Sequence, residues 1–169
     1  ELCFRIIKGA KDSFEQYHGL AIDDEVVREA IRLAKRYMTE KAMPDSVFDL
    51  IDRTMALVSI MNDVSAADVA AMEKKVAALK DTQDVADTQV MVELNWLHYE
   101  LFNKMSVLLV AQLDDDTDFS KIATKEERFA YLEGVIAKFK TLVAEKRAKV
   151  ESSDLFAVVA KQTGIPLGK

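Results

Sequence analysis

The chain has 169 residues, of which half are apolar and 31% are charged, and its formal net charge is -6 with a pI near 5.0. This length fits about one domain, and the apolar fraction supports a sizeable core, which excludes wholesale disorder. The acidic balance argues against nucleic acid as the main partner, since phosphate binding requires clustered lysine and arginine.

Cysteine content and hydropathy indicate the expected cellular location of the protein. The single cysteine, Cys3, excludes an internal disulfide and suits a reducing, cytoplasmic location. The apolar run near Met105, Val107–Ala111, is far shorter than the ~20 residues of a membrane helix, so we expect no membrane partner. The start at Glu1 shows no secretory signal, and we expect the sequence to be a piece of a longer protein.

The first elements are typical of a small helical bundle. With only five glycines and two prolines, the composition predicts a mainly α fold. A helix from about Leu2 to Tyr17 should end at Gly19 as a left-handed cap. The segment Leu20–Ile22 is too short for a helix, so its backbone groups need a strand partner, which we expect near Lys149–Ser152.

Two further helices complete this first part of the chain. Asp23 and Asp24 are candidate N-caps for the second helix. Pro44 fits the first turn of the third helix. Its apolar residues share one face: Val47, Leu50, Ile51, Met55 and Val58.

From Asn62 onward the pattern becomes heptad-like. Ser65 and Asp68 resemble a capping box that opens a new helix. A longer helix is predicted over about Val90–Leu113. Its apolar stripe consists of Val90, Leu94, Leu97, Leu101, Met105 and Leu108.

A second long helix follows the acidic segment after Leu113. Thr124 and Glu127 form another capping-box pair at its start. Its heptad positions are occupied by Phe129, Leu132, Ile136, Phe139, Val143, Lys146 and Val150. The two long helices predict an antiparallel coiled-coil hairpin, with an ordinary helical bundle as the alternative. A short last helix should end at Gly164, before Pro166.

The first long helix carries a second apolar side. Val92, Trp96 and Tyr99 lie opposite the leucine stripe. Either the helix from Ser65 covers them, or Trp96 and Tyr99 stay exposed as a contact for a partner protein.

No catalytic or metal site is predicted. Asp114, Asp116 and Asp118 have calcium-loop spacing, but Phe119 and Lys125 stand where an EF-hand requires glycine and glutamate. His18 and His98 have no second ligand at metal spacing. The segment TGIPLGK, Thr163 to Lys169, has three residues between its glycines and follows a helix, so it fails as a phosphate-binding loop.

Three stretches together resemble the Clp family of tandem-ring AAA+ protein unfoldases, most like the ClpC type. They are FEQYHGLAIDDEVVREAIRLAKRYM (14–38), MPDSVFDLID (43–52) and VVAKQTGIPLGK (158–169). The resemblance implies the helical lid of the first ATPase domain in two segments, 1–61 and 150–169, the second leading into the next ATPase domain. Residues 62–149 would be an inserted helical middle domain, placed by position alone.

The resemblance also implies a function. The parent would be a cytoplasmic, homo-hexameric ATPase that uses ATP, engages adaptor proteins and unfolded substrates, and feeds a partner protease. The isolated chain would be inactive and would bind no cofactor more tightly than about millimolar, equivalent to ~4 kcal/mol. The alternatives are a ClpB-like disaggregase or a free-standing helical adaptor or scaffold.

The family's lid residues imply a weak nucleotide contact. On this sequence they correspond to Phe4, Pro44 and Phe48. Ser46, Phe48 and Gln162 replace the lysine, isoleucine and tryptophan usual in the family, although Phe48 still offers an apolar wall.

Overall fold

A computed structural model describes residues 1–165 of the chain. The described helices are α1 (Leu2–His18), α2 (Asp24–Tyr37), α3 (Asp45–Lys80), α4 (Asp87–Lys104), α5 (Val107–Leu113), α6 (Lys125–Leu142) and α7 (Ser152–Thr163). A 3-10 turn spans Phe119–Lys121, and two short strands are β1 (Ala21–Ile22) and β2 (Lys149–Val150). The predicted mainly α fold is confirmed.

The two strands form a parallel pair. Ala21 lies opposite Lys149, and Ile22 lies opposite Val150. The Ala21 N–H also donates to the carbonyl of Ala148 at 3.0 Å. The backbone of the short segment after Gly19 is therefore satisfied by residues more than 120 positions later, which confirms the predicted strand contact.

The chain divides into two compact units. The first contains Glu1–Asn62 and the segment that starts at Lys146, and the second contains Asp63–Glu145. In the first unit, α7 packs against α2. Its core is made of buried apolar side chains from α1, α2, α3 and α7: Ile7, Val27, Ala30, Leu33, Val47, Leu50, Ile51, Met55, Leu155, Val158 and Val159.

Two residues near the end of α1 determine how the chain passes from this helix into β1. Gly19 adopts φ 68°, a left-handed conformation that ends α1 at low cost, and its N–H donates to the carbonyl of Glu15. The Glu15 carboxylate accepts a hydrogen bond from the Ile22 N–H at 2.9 Å. One glutamate thus links the end of α1 to β1.

The predicted helix start at Ser65 is wrong, because α3 continues through it. Ser65 is buried inside a 36-residue helix. The buried stripe keeps three- and four-residue steps across this point: Val58, Met61, Ser65, Val69, Met72 and Val76. No glycine or proline interrupts residues 45–80, so nothing breaks the helix at Ser65. The buried apolar stripe therefore continues through the capping pattern.

Part of α3 is strongly apolar. One 18-residue window reaches a mean hydropathy of 1.3, so this helix is long and apolar enough to cross a membrane by length and composition. Core helices of water-soluble proteins pass the same test. The fully buried Leu50, Met55 and Met72 show that much of the apolar stripe of α3 is already used in packing within the protein.

The predicted helix over Val90–Leu113 is broken into α4 and α5. Met105 has an extended backbone, with φ -73° and ψ 139°, and Ser106 caps α5 by accepting a hydrogen bond from the Leu108 N–H at 3.2 Å. Leu108 and Leu109 of α5 are both buried. An unrecognised N-cap serine therefore explains the difference.

The direction of α6 also differs from the predicted hairpin. Contacts between α4 and α6 follow the same order along both helices, from Asp87–Lys125 at 2.8 Å to Phe102–Phe139 with ring centroids 6.1 Å apart. These two helices are therefore parallel. The helix antiparallel to α6 is the later half of α3, through the exposed pairs Lys80–Glu133 and Glu73–Lys140.

The inserted unit is accordingly a small helical bundle, the alternative to the α4–α6 hairpin. Its core includes Val90, Leu94, Leu101, Phe129, Leu132, Ile136 and Phe139. The predicted capping box at α6 is half formed. Thr124 Oγ1 accepts a hydrogen bond from the Glu127 N–H at 3.1 Å, but the Glu127 carboxylate accepts from the Thr124 hydroxyl, at 3.1 Å, instead of from its backbone N–H. The predicted heptads extend too far: α6 ends at Leu142, and Val150 lies in β2.

Candidate nucleotide-lid and partner-binding sites

Phe48 lines a surface groove of about 510 Å³ in the first unit. Its ring stacks on Phe14 of α1, with centroids 5.5 Å apart. Both phenylalanines are half-buried. The groove is also lined by Lys41, Ala42, Asp45, Asp49 and Asp52. This groove is called the Phe14–Phe48 groove below.

The three residues predicted to contact nucleotide are not gathered at one point. Phe4 lies ten residues before Phe14 in α1, which is about 15 Å along the helix axis. Its ring is covered by the guanidinium of Arg28, 4.1 Å from the ring centroid. Pro44 directly precedes α3 and is half-buried. The nucleotide contact of these residues stays a prediction.

Two carboxylates of the Phe14–Phe48 groove are held by neighbouring side chains. Asp49 lies 3.1 Å from Arg53 and 3.6 Å from Lys41. Asp52 contacts the Nε2 atom of His18 at 2.8 Å. Arg53 also donates to the Gln162 side chain at 3.3 Å, which ties α3 to the position where the family usually has tryptophan.

The two ends of the insertion are joined by hydrogen bonds inside the first unit. The Asn62 side-chain amide donates to the carbonyl of Arg147 and accepts from its N–H, both at 2.8 Å. The Arg147 guanidinium forms an ion pair with Asp154, which is only 1% exposed. Asp154 also accepts from the Glu151 N–H at 2.9 Å and completes the capping box of α7. Sequence reasoning missed this cluster, although an aspartate three residues into a helix is a recognisable capping signal.

The aromatic side of α4 is exposed. Trp96 and Tyr99 are 64% and 61% exposed, and their rings contact each other edge to face at 6.1 Å. Val92, one turn earlier, is also exposed. The proposed cover by the helix from Ser65 is therefore wrong. Exposed aromatic side chains are favoured anchors in protein contacts, so the partner role stays a prediction.

A stack of three side chains fixes the segment between α5 and α6. The buried Phe119 ring lies parallel to the His98 ring, with centroids 4.3 Å apart. The Arg128 guanidinium lies 4.8 Å from the same phenylalanine ring. Arg128 also donates to the Ile122 carbonyl at 2.8 Å and to the Asn95 side chain at 2.7 Å. One buried arginine thus holds the connection, and periodicity alone did not reveal it.

This stack predicts a pH dependence of stability. Burial lowers the pKa of His98 below its usual 6.5, and the charge of Arg128 lowers it further. Nearby Tyr131 donates to Asp115 at 3.1 Å, and burial raises the pKa of Tyr131 to about 12, so the phenol stays neutral. Because the unfolded chain binds the His98 proton more readily, the free energy of unfolding should fall as the pH decreases below about 6.5.

Denaturant unfolding at pH 7.5 and pH 5.5 measures this effect. The variant His98→Gln should show a smaller loss between these pH values than the wild type, because the titrating group has been removed. The exposed substitution Gln16→Ala leaves both histidines in place and serves as the control. An equal loss in wild type and His98→Gln would contradict the prediction.

The remaining motifs do not form a metal centre within residues 1–165, where no cluster of three metal-ligating side chains occurs. The aspartates after α5 act locally instead. Asp118 caps the 3-10 turn by accepting from the Ser120 N–H at 3.0 Å, and Asp115 accepts from the Thr117 N–H at 2.9 Å. The segment Pro166–Lys169, the greater part of TGIPLGK, lies outside the described residues.

The sequence profile of the AAA lid domain matches residues 1–96. The chain belongs to the AAA lid domain family. The match includes all of the first 62 residues of the first unit and continues through α3 into α4.

Curated relatives of this AAA lid chain carry Clp and Hsp100 names, which confirms the resemblance. Chaperone protein ClpB of Nitratidesulfovibrio vulgaris is 28% identical, covering 96% of this chain and 23% of ClpB. Heat shock protein 100 of Trypanosoma brucei brucei is 29% identical, and the match covers 100% of this chain and 24% of that protein. The ATP-dependent Clp protease ATP-binding subunit ClpC of Staphylococcus aureus is 26% identical, and the match covers 97% of this chain and 17% of ClpC. The chain therefore spans less than a quarter of each of these relatives.

A solved structure is also similar. The S. cerevisiae Hsp104-ADP complex matches with a TM-score of 0.44 and 22% sequence identity, covering 96% of this chain and 30% of the solved chain.

Proposed function

We propose that this chain forms the lid of the first ATPase domain of a Clp-type protein-remodelling subunit. The match of the AAA lid profile to residues 1–96 carries the proposal. Residues 1–61 and 150–169 would be the two lid segments, the second of which leads to the next ATPase domain. Residues 62–149 would be the inserted middle domain. The β1–β2 pairing supports this division, since it joins residues from before and after the insertion.

The lid would close over ATP that is bound mainly by other parts of the parent subunit. Phe4 and the Pro44–Phe48 segment would contribute apolar contacts to the base from separate points on the lid surface. Since this chain has no phosphate-binding loop in its sequence, its own affinity for ATP would be no tighter than about millimolar. The hydrolytic chemistry belongs to the parent, and the chain alone would be inactive.

The parent would act as a cytoplasmic homo-hexamer that unfolds proteins for a Clp-type protease, with adaptor proteins binding to the middle domain. The ClpC relative of Staphylococcus aureus, named as a subunit of a Clp protease, favours this assignment. The ClpB relative, 28% identical, favours a disaggregase as the second candidate. Degradation of a tagged substrate with purified protease, compared with reactivation of an aggregated enzyme, distinguishes the two. ATP-independent behaviour of the full parent in both assays would contradict the ATPase proposal.

Trp96 and Tyr99 would supply the regulatory contact. In the variant Trp96→Ala/Tyr99→Ala, the free energy of unfolding should change by less than about 1 kcal/mol, because both side chains are largely exposed. In the parent, the same variant should change adaptor binding or the adaptor-stimulated ATPase rate. Thermal melting of this chain and ATPase assays of the parent measure the two effects.

The matched control is Ile60→Ala/Val64→Ala, which removes two other exposed apolar side chains, from α3. It should leave adaptor binding unchanged. A loss of about 3–5 kcal/mol in the aromatic variant would show that the rings are core residues and would end the regulatory interpretation.

A further inference from the structure

The imidazole ring of His98 is enclosed by aromatic rings from three parts of the second unit. It lies almost parallel to the ring of Phe119 in the 3-10 turn, with an interplanar angle of 4° and centroids 4.3 Å apart. The ring centroids of Phe102 on α4 and Tyr131 on α6 lie 4.7 and 6.4 Å from that of His98. His98 is therefore the point where α4, α6 and the segment 114–124 meet. This segment, which joins α5 to α6, is called the α5–α6 connection below.

The neighbours of His98 favour its neutral form. The face of the Phe119 ring attracts cations, but Arg128 already places a guanidinium 4.8 Å from its centre, and this charge repels a second cation. Asp115 is engaged elsewhere, because it accepts hydrogen bonds from the Tyr131 hydroxyl at 3.1 Å and from a backbone N–H at 2.9 Å. Within residues 1–165, neither ring nitrogen of His98 has a hydrogen-bond partner in the protein. A protonated ring would therefore carry two N–H donors that the closed arrangement does not satisfy.

The α5–α6 connection is attached to the rest of the second unit by few contacts. Phe119 is its only buried residue, and the 3-10 turn is its only regular structure. Arg128 ties it to α6 through the carbonyls of Ser120 and Ile122. A segment with so little buried apolar surface can open locally while the helices around it stay folded. The contact between His98 and Phe119 is therefore a large part of what keeps the connection closed.

We propose that His98 and Phe119 form a pH-sensitive latch, in which neutral His98 holds the α5–α6 connection against α4 and α6 and protonated His98 releases it. In the released state the imidazolium reaches water, which supplies the acceptors that the closed state lacks. Release also uncovers the rings of Phe102, Phe119 and Tyr131, so an apolar surface becomes accessible only at low pH. The latch concerns the second unit alone and goes beyond the proposed ATPase role. It also goes beyond the expected loss of overall stability, because release leaves the helices folded.

The direction of the pH effect follows from the two states of His98. In the released state the pKa of His98 is near its usual 6.5, whereas burial and the charge of Arg128 hold it lower in the closed state. As the pH falls below about 6.5, the released state therefore binds a proton that the closed state does not. The equilibrium constant for release should increase by up to about tenfold per pH unit, until the closed state also becomes protonated. Between pH 7.5 and pH 5.5 we expect an increase of about five- to tenfold.

Amide hydrogen exchange of the full 169-residue chain at these two pH values measures release. The reporters are the N–H groups of Lys121 and Ile122, which donate to the carbonyls of Asp118 and Phe119 at 3.1 Å inside the connection. After correction for the intrinsic pH dependence of exchange, their protection should fall about five- to tenfold from pH 7.5 to pH 5.5. Their exchange should be insensitive to low concentrations of urea, because local release exposes little surface. Unchanged protection, or the same urea sensitivity as core amides of α6, would overturn the proposal, since the second result means that only global unfolding occurs.

Variants of His98 test the titrating group directly. His98→Phe keeps an aromatic ring beside Phe119 but cannot be protonated, so the connection should stay closed at both pH values. His98→Gln cannot titrate either and should also remove the pH effect, even where it loosens the stack. Lys121→Gln removes an exposed charge from the connection itself and is the matched control, in which the pH effect on Ile122 should remain.

The dye ANS, which binds exposed apolar surface, reports the uncovered rings. Its fluorescence should increase from pH 7.5 to pH 5.5 in the wild type and in Lys121→Gln, but not in His98→Phe. A pH effect that persists in His98→Phe, or that disappears in Lys121→Gln, would assign the release to other charges and refute the latch.

Discussion

Replacing Asp154 by alanine is expected to lower the free energy of unfolding by about 3 kcal/mol. Removal of one partner from a buried ion pair costs about 3–5 kcal/mol, because the other charge is left without compensation. The lower end applies here, since the side chain of Arg147 is 18% exposed and can reach water. The variant also loses the hydrogen bond from the Glu151 N–H that caps α7.

Loss of the Arg147–Asp154 pair should affect more than the first turn of α7, because Arg147 makes further contacts. Arg147 is also bound through its backbone to Asn62, at the other end of the insertion. Its guanidinium further donates to the Lys149 carbonyl in β2 at 3.1 Å. We therefore expect Asp154→Ala to increase amide hydrogen exchange in β1, β2 and the first turn of α7 before the rest of the first unit.

Chemical denaturation of Asp154→Ala, Asp154→Asn and Lys149→Ala measures the energetic effect. Asp154→Asn keeps a hydrogen-bond acceptor and should lose less than the alanine variant. Lys149→Ala removes an exposed pair with Asp23, whose atoms lie 3.0 Å apart, and should cost less than about 1 kcal/mol. A loss in Asp154→Ala no larger than in Lys149→Ala would contradict the role of the buried pair.

The sequence predicted the structural features that depend on hydrophobic periodicity and on residues that end a helix. Gly19 and Gly164 end helices where expected, and the lone segment before Asp23 finds its strand partner near Lys149. Each of these features is local or follows from a backbone requirement that has few solutions. The family resemblance then predicted a lid in two segments, which no local pattern could indicate.

Errors arose where a weak local signal competed with packing. The Ser65–Asp68 pattern satisfies a capping rule, yet the buried stripe of α3 continues through it, and burial is worth more than one cap. Conversely, Ser106 begins a helix within an uninterrupted heptad pattern. The direction of α6 relative to α4 depends on the long connection after α5, whose course is fixed by Arg128 and Phe119. Such non-local contacts produce no periodic pattern that could be recognised in a single sequence.

The sequence indicated candidate residues but not the side chains that surround them. Phe48 lies in a groove whose lining includes Asp45 and Asp52, which the sequence pattern did not place beside it. Trp96 and Tyr99 could be placed on one side of α4, but their exposure depends on how the other helices pack. Side-chain pairing across elements, as in Asp154 with Arg147, required the structure.

Replacing Arg128 by methionine is expected to lower the free energy of unfolding by about 3 kcal/mol. The substitution keeps an unbranched apolar stem but removes donors to Asn95 and to the carbonyls of Ser120 and Ile122, at distances of 2.7–3.2 Å. A hydrogen bond to a charged group contributes about 1.5–3 kcal/mol. Part of the loss is recovered, because Asn95 and Ser120 are exposed and their acceptors can bind water. The contact with the Phe119 ring is lost as well.

The variant Arg128→Lys separates charge from geometry. Lysine keeps the positive charge, but it cannot make the forked hydrogen bonds of a guanidinium, so most of the stability should still be lost. The pKa of His98 gives an independent readout, because the charge of Arg128 contributes to lowering it. In the methionine variant this pKa should rise toward its usual value, whereas in the lysine variant a charge near the ring should keep it lower.

An NMR titration of His98 in the wild type and both variants, together with denaturant unfolding at pH 7.5, tests the whole arrangement. If Arg128 holds the connection as the structure indicates, both variants lose stability, but only the methionine variant shows a clear rise in the His98 pKa. Full stability in Arg128→Lys would mean that charge alone holds the segment after α5, without the forked hydrogen bonds. An unchanged His98 pKa in Arg128→Met, with normal stability, would mean that the stack of His98, Phe119 and Arg128 does not fix this part of the bundle.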